Sequence, residues 1–72
     1  MHSRDIINTM KARRESLHVT QEVLAQLSGM SLRTLKQFES GKGNPTLQTL
    51  QKLGDALGLE VAVIIKNTGI NS

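Results

Sequence analysis

Cationic, amide and hydroxyl side chains occur at helical spacing after Met30, and this combination could bind nucleic acid. The pattern from Ser31 predicts a short helix whose inner face carries Leu35 and Phe38, with Thr34 and Ser31 beside them. The outer face has two cations and an amide but no carboxylate. Arg and Lys can donate to guanine, Gln can pair with adenine, and Leu can contact a thymine methyl group. The candidates for reading DNA bases are Ser31, Leu32, Arg33, Lys36 and Gln37. A basic helix face that meets only solvent is the alternative.

Other side chains could contact the phosphate backbone. Gln21 opens the preceding helix, and the N–H groups of a helix N-terminus together with a side-chain amide can meet a phosphate. Lys42 lies in a Gly-rich segment, where backbone amides and a cation could hold a phosphate. That segment lacks the full GxxxxGK[ST] motif, so ATP binding is not supported. Arg13 is a third candidate. The alternatives are a solvated Gln and an ordinary flexible connector.

Four amphipathic helix patterns position these side chains, the first running from Ser3 to about Ser16. Only Ser28-Gly29-Met30 separates the second pattern from the third, which is too short a gap for the two helices to run side by side. A Gly in such a tight bend predicts a helix-turn-helix. The predicted N-cap residues of the last three helices are Thr20, Ser31 and Thr46, and the residue predicted to end the fourth is Gly58.

The apolar residues of these helices predict the core. On the second helix the inner face is expected to comprise Val23, Leu24, Ala25 and Leu27. On the fourth helix the apolar stripe is Leu47, Leu50, Leu53 and Leu57. Gly54 lies within that stripe despite its poor helix propensity, which predicts close packing at this position. On the first helix the inner side is expected to comprise Ile6, Ile7, Met10 and Leu17. Arg14 falls in step with Met10 and Leu17, so we expect an inward-facing Arg.

Length and composition limit the function classes. The 72 residues form one domain, and the absence of Cys excludes a disulfide, a thiolate zinc site and a catalytic thiol. Nine Lys and Arg against six Asp and Glu give a net charge of +3 and a pI of about 9.8, in the range of nucleic-acid-binding domains. Phe38 is the only aromatic residue, which disfavours single-strand binding by base stacking. We expect no cofactor.

Enzymatic, metal-binding and membrane functions are not predicted. The two His residues have no partners at metal-ligand spacing, and no nucleophile or paired-carboxylate pattern is present. His18 is interpreted as a surface loop residue. No apolar run could span a bilayer, and the N-terminus does not resemble a signal peptide. We therefore expect a soluble, cytoplasmic protein that is not an enzyme.

The segment Leu59 to Lys66 is rich in β-branched residues and predicts a strand. A lone strand leaves its backbone groups unpaired, so we expect it to pair with its copy in a homodimer. The alternatives are a strand packed over the helices and pairing with a partner protein. The predicted dimerisation residues are Val61, Ala62, Val63, Ile64 and Ile65. This divides the chain into a DNA-binding domain over 1–58, a dimerisation strand over 59–66 and a flexible tail over 67–72.

The sequence resembles the lambda-repressor/Cro-like (Xre-type) helix-turn-helix family over roughly residues 10–59. The matching positions are Thr20-Gln21, Leu24-Ala25, Gly29, Ser31, Thr34-Leu35, Phe38-Glu39, Gly41, Pro45, Leu50, Leu53 and Leu57. The resemblance implies a mainly α, compact domain of four to five helices that binds double-stranded DNA. It implies that Gln21 clamps the DNA backbone and that Ser40 and Lys42 contact phosphates. It also implies an ion pair between Arg14 and Glu39.

The layout, with a C-terminal strand directly after the helices, is similar to HipB-like antitoxins. That similarity implies a repressor that binds a palindromic operator as a dimer and autoregulates an operon encoding a HipA-like, kinase-like toxin. The alternative is a stand-alone regulator of phage or plasmid type without a toxin partner. A protein whose main task is to hold a toxin is a further hypothesis, compatible with DNA binding.

Overall fold

A computed structural model describes residues 3–62 of the chain, and these residues form four α-helices. The helices are α1 (Ser3–Ser16), α2 (Gln21–Ser28), α3 (Leu32–Glu39) and α4 (Leu47–Leu57). The expectation of a mainly α domain is confirmed, with four helices in the described part. Helices α2 and α3 pack against each other, α2 also packs against α4, and α1 contacts α3 and α4.

The last three helices begin at the predicted caps. Thr20, Ser31 and Thr46 have extended backbones, and each side-chain oxygen accepts the N–H three residues later at 3.1 Å. Each such cap satisfies one of the N–H groups that a helix start leaves unpaired, and typically contributes about 1 kcal/mol. These caps place the starts of α2 and α3 on either side of a short turn.

All four helices end in the same backbone motif. Beyond each helix a backbone N–H donates to the carbonyl five residues earlier. The residue immediately before that N–H adopts a left-handed backbone. Gly29, Gly41 and Gly58 occupy that position after α2, α3 and α4. After α1 the position is held by His18, with a φ of 57°. The exposed loop position predicted for His18 is confirmed, and its left-handed backbone, which is unfavourable for a non-Gly residue, also terminates α1.

The core lies where the four helices meet. Its buried apolar residues are Ile7, Met10, Leu24, Ala25, Leu35, Phe38, Leu53 and Leu57. The face predicted for α2 is partly wrong, because Val23 and Leu27 are 43% and 63% exposed. The buried face of α2 includes Ser28 instead, whose hydroxyl donates to the Leu24 carbonyl at 2.7 Å and so avoids an unsatisfied polar group. The inward positions predicted for Leu47, at the start of α4, and Leu17, just after α1, are also wrong, because these side chains are 54% and 42% exposed.

The segment after α4 folds back onto the helices. A Cβ on Gly54 would lie 2.9 Å from the Leu59 carbonyl oxygen and 3.2 Å from Val61 Cγ2, which confirms the predicted close packing. Leu59 and Val61 are half-buried against the core. The strand predicted over 59–66 is not formed in its described part, because residues 59–62 have no ladder partner among residues 3–62 and pack on helices instead. Residues 63–66 and the predicted tail over 67–72 lie outside the described residues.

Candidate nucleic-acid interface

Helix α3 separates its side chains as the spacing predicts. Leu35 and Phe38 are buried at 0% and 4% exposure, whereas Arg33, Lys36 and Gln37 are exposed. The α2–α3 turn and the packing of α3 against α1 and α2 fix this orientation. The cationic face is therefore presented outward on a helix whose other face is anchored in the core.

The exposed face of α3 continues into the following loop as one shallow, open depression of about 510 Å³. In the described part of the chain its lining includes three cations and no carboxylate. The lining residues are Leu32, Arg33, Lys36, Gln37, Ser40 and Lys42. Four predicted base-reading residues and two predicted phosphate contacts thus share one surface. An anionic ligand with a groove would meet hydrogen-bond donors on this surface and no carboxylate that repels it.

Two side chains of this surface have more than one role. Leu32 is half-buried and packs against the core while also lining the depression, so only part of it is available to a ligand. The Ser40 hydroxyl donates to the Gln37 carbonyl at 2.9 Å, and the Ser40 N–H donates to Lys36. A phosphate oxygen only accepts hydrogen bonds, so Ser40 would contact one only after its exposed hydroxyl rotates.

The Ser31 hydroxyl is occupied by the helix cap. It accepts the Thr34 N–H at 3.1 Å and donates to Thr34 Oγ1 at 2.8 Å. Thr34 is exposed, not turned inward as expected, and its own hydroxyl hydrogen has no acceptor among residues 3–62. Thr34 also lines a neighbouring depression with Gln37 and Lys42. The hydroxyl donor beside the cationic face of α3 is thus Thr34. The Ser-x-x-Thr spacing at the helix start is the sequence pattern that could have predicted it.

Gln21 lies at the first position of α2 and is tied to α3. Its Nε2 donates to Glu39 Oε1 at 3.0 Å. The same carboxylate accepts Arg14 Nε at 2.7 Å and Arg14 Nη2 at 3.0 Å, which confirms the expected bidentate pair. The hydrogen bond to Glu39 raises the pKa of Arg14, and burial opposes that shift.

The two neighbouring Arg residues of α1 have different partners. Arg13 Nε donates to the Leu57 carbonyl at 2.9 Å, at the C-terminus of α4, where a cation also meets the negative end of the helix dipole. Arg13 does not line the depression on α3. Its predicted phosphate contact therefore competes with a hydrogen bond inside the protein, which sequence spacing did not reveal.

The remaining predictions concern dimerisation, metals and membranes. Of the dimerisation residues, Val61 is half-buried and Ala62 exposed, and Val63, Ile64 and Ile65 lie outside the described residues. Residues 3–62 contain no group of three or more side chains suited to a metal ion. None of the four described helices combines the length and apolarity needed to cross a bilayer.

Comparison with known proteins places this geometry in a family. Residues 10–64 match the sequence profile of the helix-turn-helix family HTH_3. The cryptic phage CTXphi transcriptional repressor RstR of Vibrio cholerae serotype O1 is 40% identical over 48 residues, which are 67% of this chain and 43% of that protein. The immunity repressor protein of Bacillus phage phi105 is 36% identical over 56 residues, 78% of this chain and 39% of that protein.

A third relative matches over more of its own length. The uncharacterized HTH-type transcriptional regulator y4dJ of Sinorhizobium fredii is 38% identical over 61 residues, 85% of this chain and 78% of that protein. The chain spans less than half the length of the two phage-related repressors. The region that matches the family profile contains α2, the turn, α3 and the following loop, and the cationic surface lies on α3 and that loop. The chain belongs to the lambda-repressor/Cro-like (Xre-type) helix-turn-helix family.

Proposed function

We propose that this protein is a sequence-specific, double-stranded DNA-binding transcriptional repressor acting in the cytoplasm. One observation carries the proposal: Arg33, Lys36, Gln37 and Lys42 share an exposed, carboxylate-free depression on the second helix of the turn motif. The relatives named as repressors support the same function. Repression follows if the bound protein blocks polymerase from the promoter.

In the proposed complex α3 enters the major groove. Arg33 and Lys36 donate to guanine acceptors, Gln37 pairs with adenine, and the exposed part of Leu32 meets a thymine methyl group. Ser31 and Thr34 lie at the helix start, where Thr34 supplies the free hydroxyl hydrogen. Gln21, Lys42 and, after rotation of its hydroxyl, Ser40 contact phosphates. Base contacts select the sequence, and phosphate contacts set the position of α3 on the duplex.

We further propose that two copies bind a palindromic operator, with recognition helices about 34 Å apart. An apolar groove of about 290 Å³ supports a dimer. The groove lies between α1 and the segment that leads into the apolar run of the sequence after Ala62, so a second copy could cover it. Its lining residues are Ile6, Thr9, Met10, Leu59, Glu60, Val61 and Ala62. Val61 already packs on its own core, so Ala62 and the residues after it are the better candidates for contact with the second copy.

The dimer is tested by light scattering on the full chain and on Ile64→Lys. We expect a monomer from that variant, because a charge would be buried at the subunit contact. Ile70→Lys, the same change in the predicted tail, is the matched control and should stay dimeric. A monomeric unmodified chain at micromolar concentration would contradict the dimer.

The antitoxin role is a narrower form of the proposal. Only the layout of helices followed by an apolar C-terminal segment supports it. Co-purification of a kinase-like protein with the tagged chain from its native host would favour the role. Purification of the tagged chain from that host without any such partner would favour a stand-alone regulator.

The DNA-binding proposal is tested by selecting bound sites from a pool of random duplexes. We expect an enriched palindrome whose half-sites are centred about one helical turn apart. Enrichment of a single unrepeated site would refute the palindrome while keeping sequence recognition. A protein that retains no duplex of any sequence at low salt would refute the function.

A further inference from the structure

We propose that Glu39 is a positioning residue for DNA binding, which orients the side-chain amide of Gln21 toward a backbone phosphate. The inference rests on the proposed function, because it assigns the phosphate contact of Gln21 to the same interface. Glu39 itself touches no DNA. Its side chain is 5% exposed, and it lies behind the surface at the end of α3.

The carboxylate of Glu39 is held by three donors on two elements. Arg14 supplies Nε at 2.7 Å and Nη2 at 3.0 Å from α1, and Gln21 supplies Nε2 at 3.0 Å from α2. Arg14 is fixed in turn, because its Nη1 donates to the Val19 carbonyl at 2.8 Å. The acceptor for Gln21 is therefore a rigid group, positioned by contacts that do not involve DNA.

A carboxylate determines which end of an amide faces it. An ionised Glu only accepts hydrogen bonds, so the Gln21 amide must turn Nε2, not Oε1, toward Glu39. Nε2 carries two hydrogens, and the second has no acceptor among residues 3–62. That hydrogen can be donated to a phosphate oxygen. An amide without this constraint could present Oε1, whose lone pairs repel a phosphate.

The charge of Glu39 does not oppose this role. A carboxylate near the DNA backbone would by itself weaken binding, but the bidentate Arg14 compensates it. The three residues also connect the start of α2 to the end of α3. The phosphate contact and the base-reading helix are therefore held in a fixed relative position before DNA arrives, which reduces the ordering that binding requires.

A double-mutant cycle on the full chain tests the proposal, using the selected operator at fixed salt. Gln21→Ala should weaken binding about tenfold. Glu39→Gln should weaken binding by a similar factor although it removes a negative charge, because Arg14 would take its one carbonyl oxygen and leave an amide nitrogen facing Gln21. The two losses should not multiply: in the Glu39→Gln protein, Gln21→Ala should change affinity less than about threefold.

The controls separate positioning from charge and from folding. Glu22→Gln removes an exposed carboxylate from the same end of α2 and should leave affinity unchanged or higher. Gln26→Ala, which removes an exposed amide from the same helix, is the matched control for Gln21→Ala and should leave affinity unchanged. A purely structural Glu39 would give independent, multiplying losses of affinity in the double variant, which would overturn the proposal. A protein that binds no duplex would instead refute the proposed function.

A measurement on the unmodified protein covers the case in which Glu39→Gln does not fold. In the amide NMR spectrum one Gln21 Nε2 proton should be shifted downfield and exchange slowly with water before DNA is added. The other proton should shift when the selected operator is titrated in. Two equivalent, rapidly exchanging protons, or no response of either to DNA, would overturn the proposal.

Discussion

Arg14 Nε and Glu39 Oε2 lie 2.7 Å apart and join the last turn of α1 to the last residue of α3. The pair is bidentate, and both side chains are nearly buried. Because the third Arg14 nitrogen binds the Val19 carbonyl, one guanidinium ties together α1, the loop before α2 and α3. The orientation of α3 thus depends on an ion pair that lies outside the proposed DNA-binding surface.

Arg14→Met should destabilise the fold by about 3–5 kcal/mol, because it leaves the Glu39 carboxylate buried without its counter-ion. Urea unfolding followed by circular dichroism measures the change. Arg33→Ala, an exposed Arg with no partner among the described residues, is the control and should stay within about 0.5 kcal/mol of the parent. A loss below about 1 kcal/mol in Arg14→Met would show that the pair contributes little.

The effect of Arg14 should not vary with pH in the ordinary range. Since its pKa is raised on folding, its contribution is complete below the unfolded pKa and is lost only as pH rises through the still higher folded pKa. The difference in unfolding free energy between the parent and Arg14→Met/Glu39→Leu, a double variant that leaves no buried carboxylate behind, should therefore be equal at about pH 6 and about pH 9. A difference that shrinks between these values would contradict the assignment.

Gly54→Ala should destabilise the protein although Ala is the better helix former. The gain in propensity is about 1 kcal/mol, whereas the new Cβ would meet the Leu59 carbonyl oxygen at 2.9 Å and force the returning segment away. We expect a net loss of about 1–2 kcal/mol in thermal unfolding. Gln51→Ala, at an exposed position of the same helix, should be neutral or slightly stabilising. A more stable Gly54→Ala protein would refute the close contact.

His18→Gly should stabilise the protein by about 0.5–1 kcal/mol. A left-handed backbone strains an L-residue by about 1–2 kcal/mol, and the greater freedom of Gly in the unfolded chain offsets part of the gain. His18→Ala, which keeps the strain, should not stabilise. Differential scanning calorimetry compares the three proteins, and equal melting temperatures for Gly and Ala at this position would argue against the strained terminus.

Arg33→Ala should weaken operator binding by about 1–3 kcal/mol and relax the base preference at one position of each half-site. The physical reason is the loss of two donors aimed at a base edge. Fluorescence anisotropy on selected and random duplexes measures both effects, with exposed Lys52→Ala on α4 as the control. Equal losses on both duplexes would assign Arg33 to the phosphate backbone.

Lys42→Ala should weaken binding to every duplex by a similar factor, because a phosphate contact carries no sequence information. In a plot of log affinity against log salt concentration, the magnitude of the slope should decrease by about one for each subunit, because one phosphate contact is lost. Lys11→Ala, an exposed cation on α1, should leave the slope closer to that of the parent. An unchanged slope in Lys42→Ala would remove this residue from the DNA interface.

The sequence by itself determined the helices, their starts and ends, and the outward face of α3. Each of these depends on residues within one or two helical turns: a Thr or Ser cap binds an N–H three positions on, and Leu35 and Phe38 share a face by spacing alone. The family pattern supplied the Arg14–Glu39 pair, which spacing could only suggest by turning Arg14 inward.

Tertiary structure alone decided which polar groups are free to meet a ligand. Arg13 is engaged by Leu57, 44 positions away, and Gln21 by Glu39, 18 positions away. It also decided that α2 buries Ser28 and exposes Leu27, because packing against α3 and α4 selects the buried side of so short a helix. Hydrogen bonds between distant segments and the rotation of a short helix depend on the assembled core, which local sequence patterns do not encode.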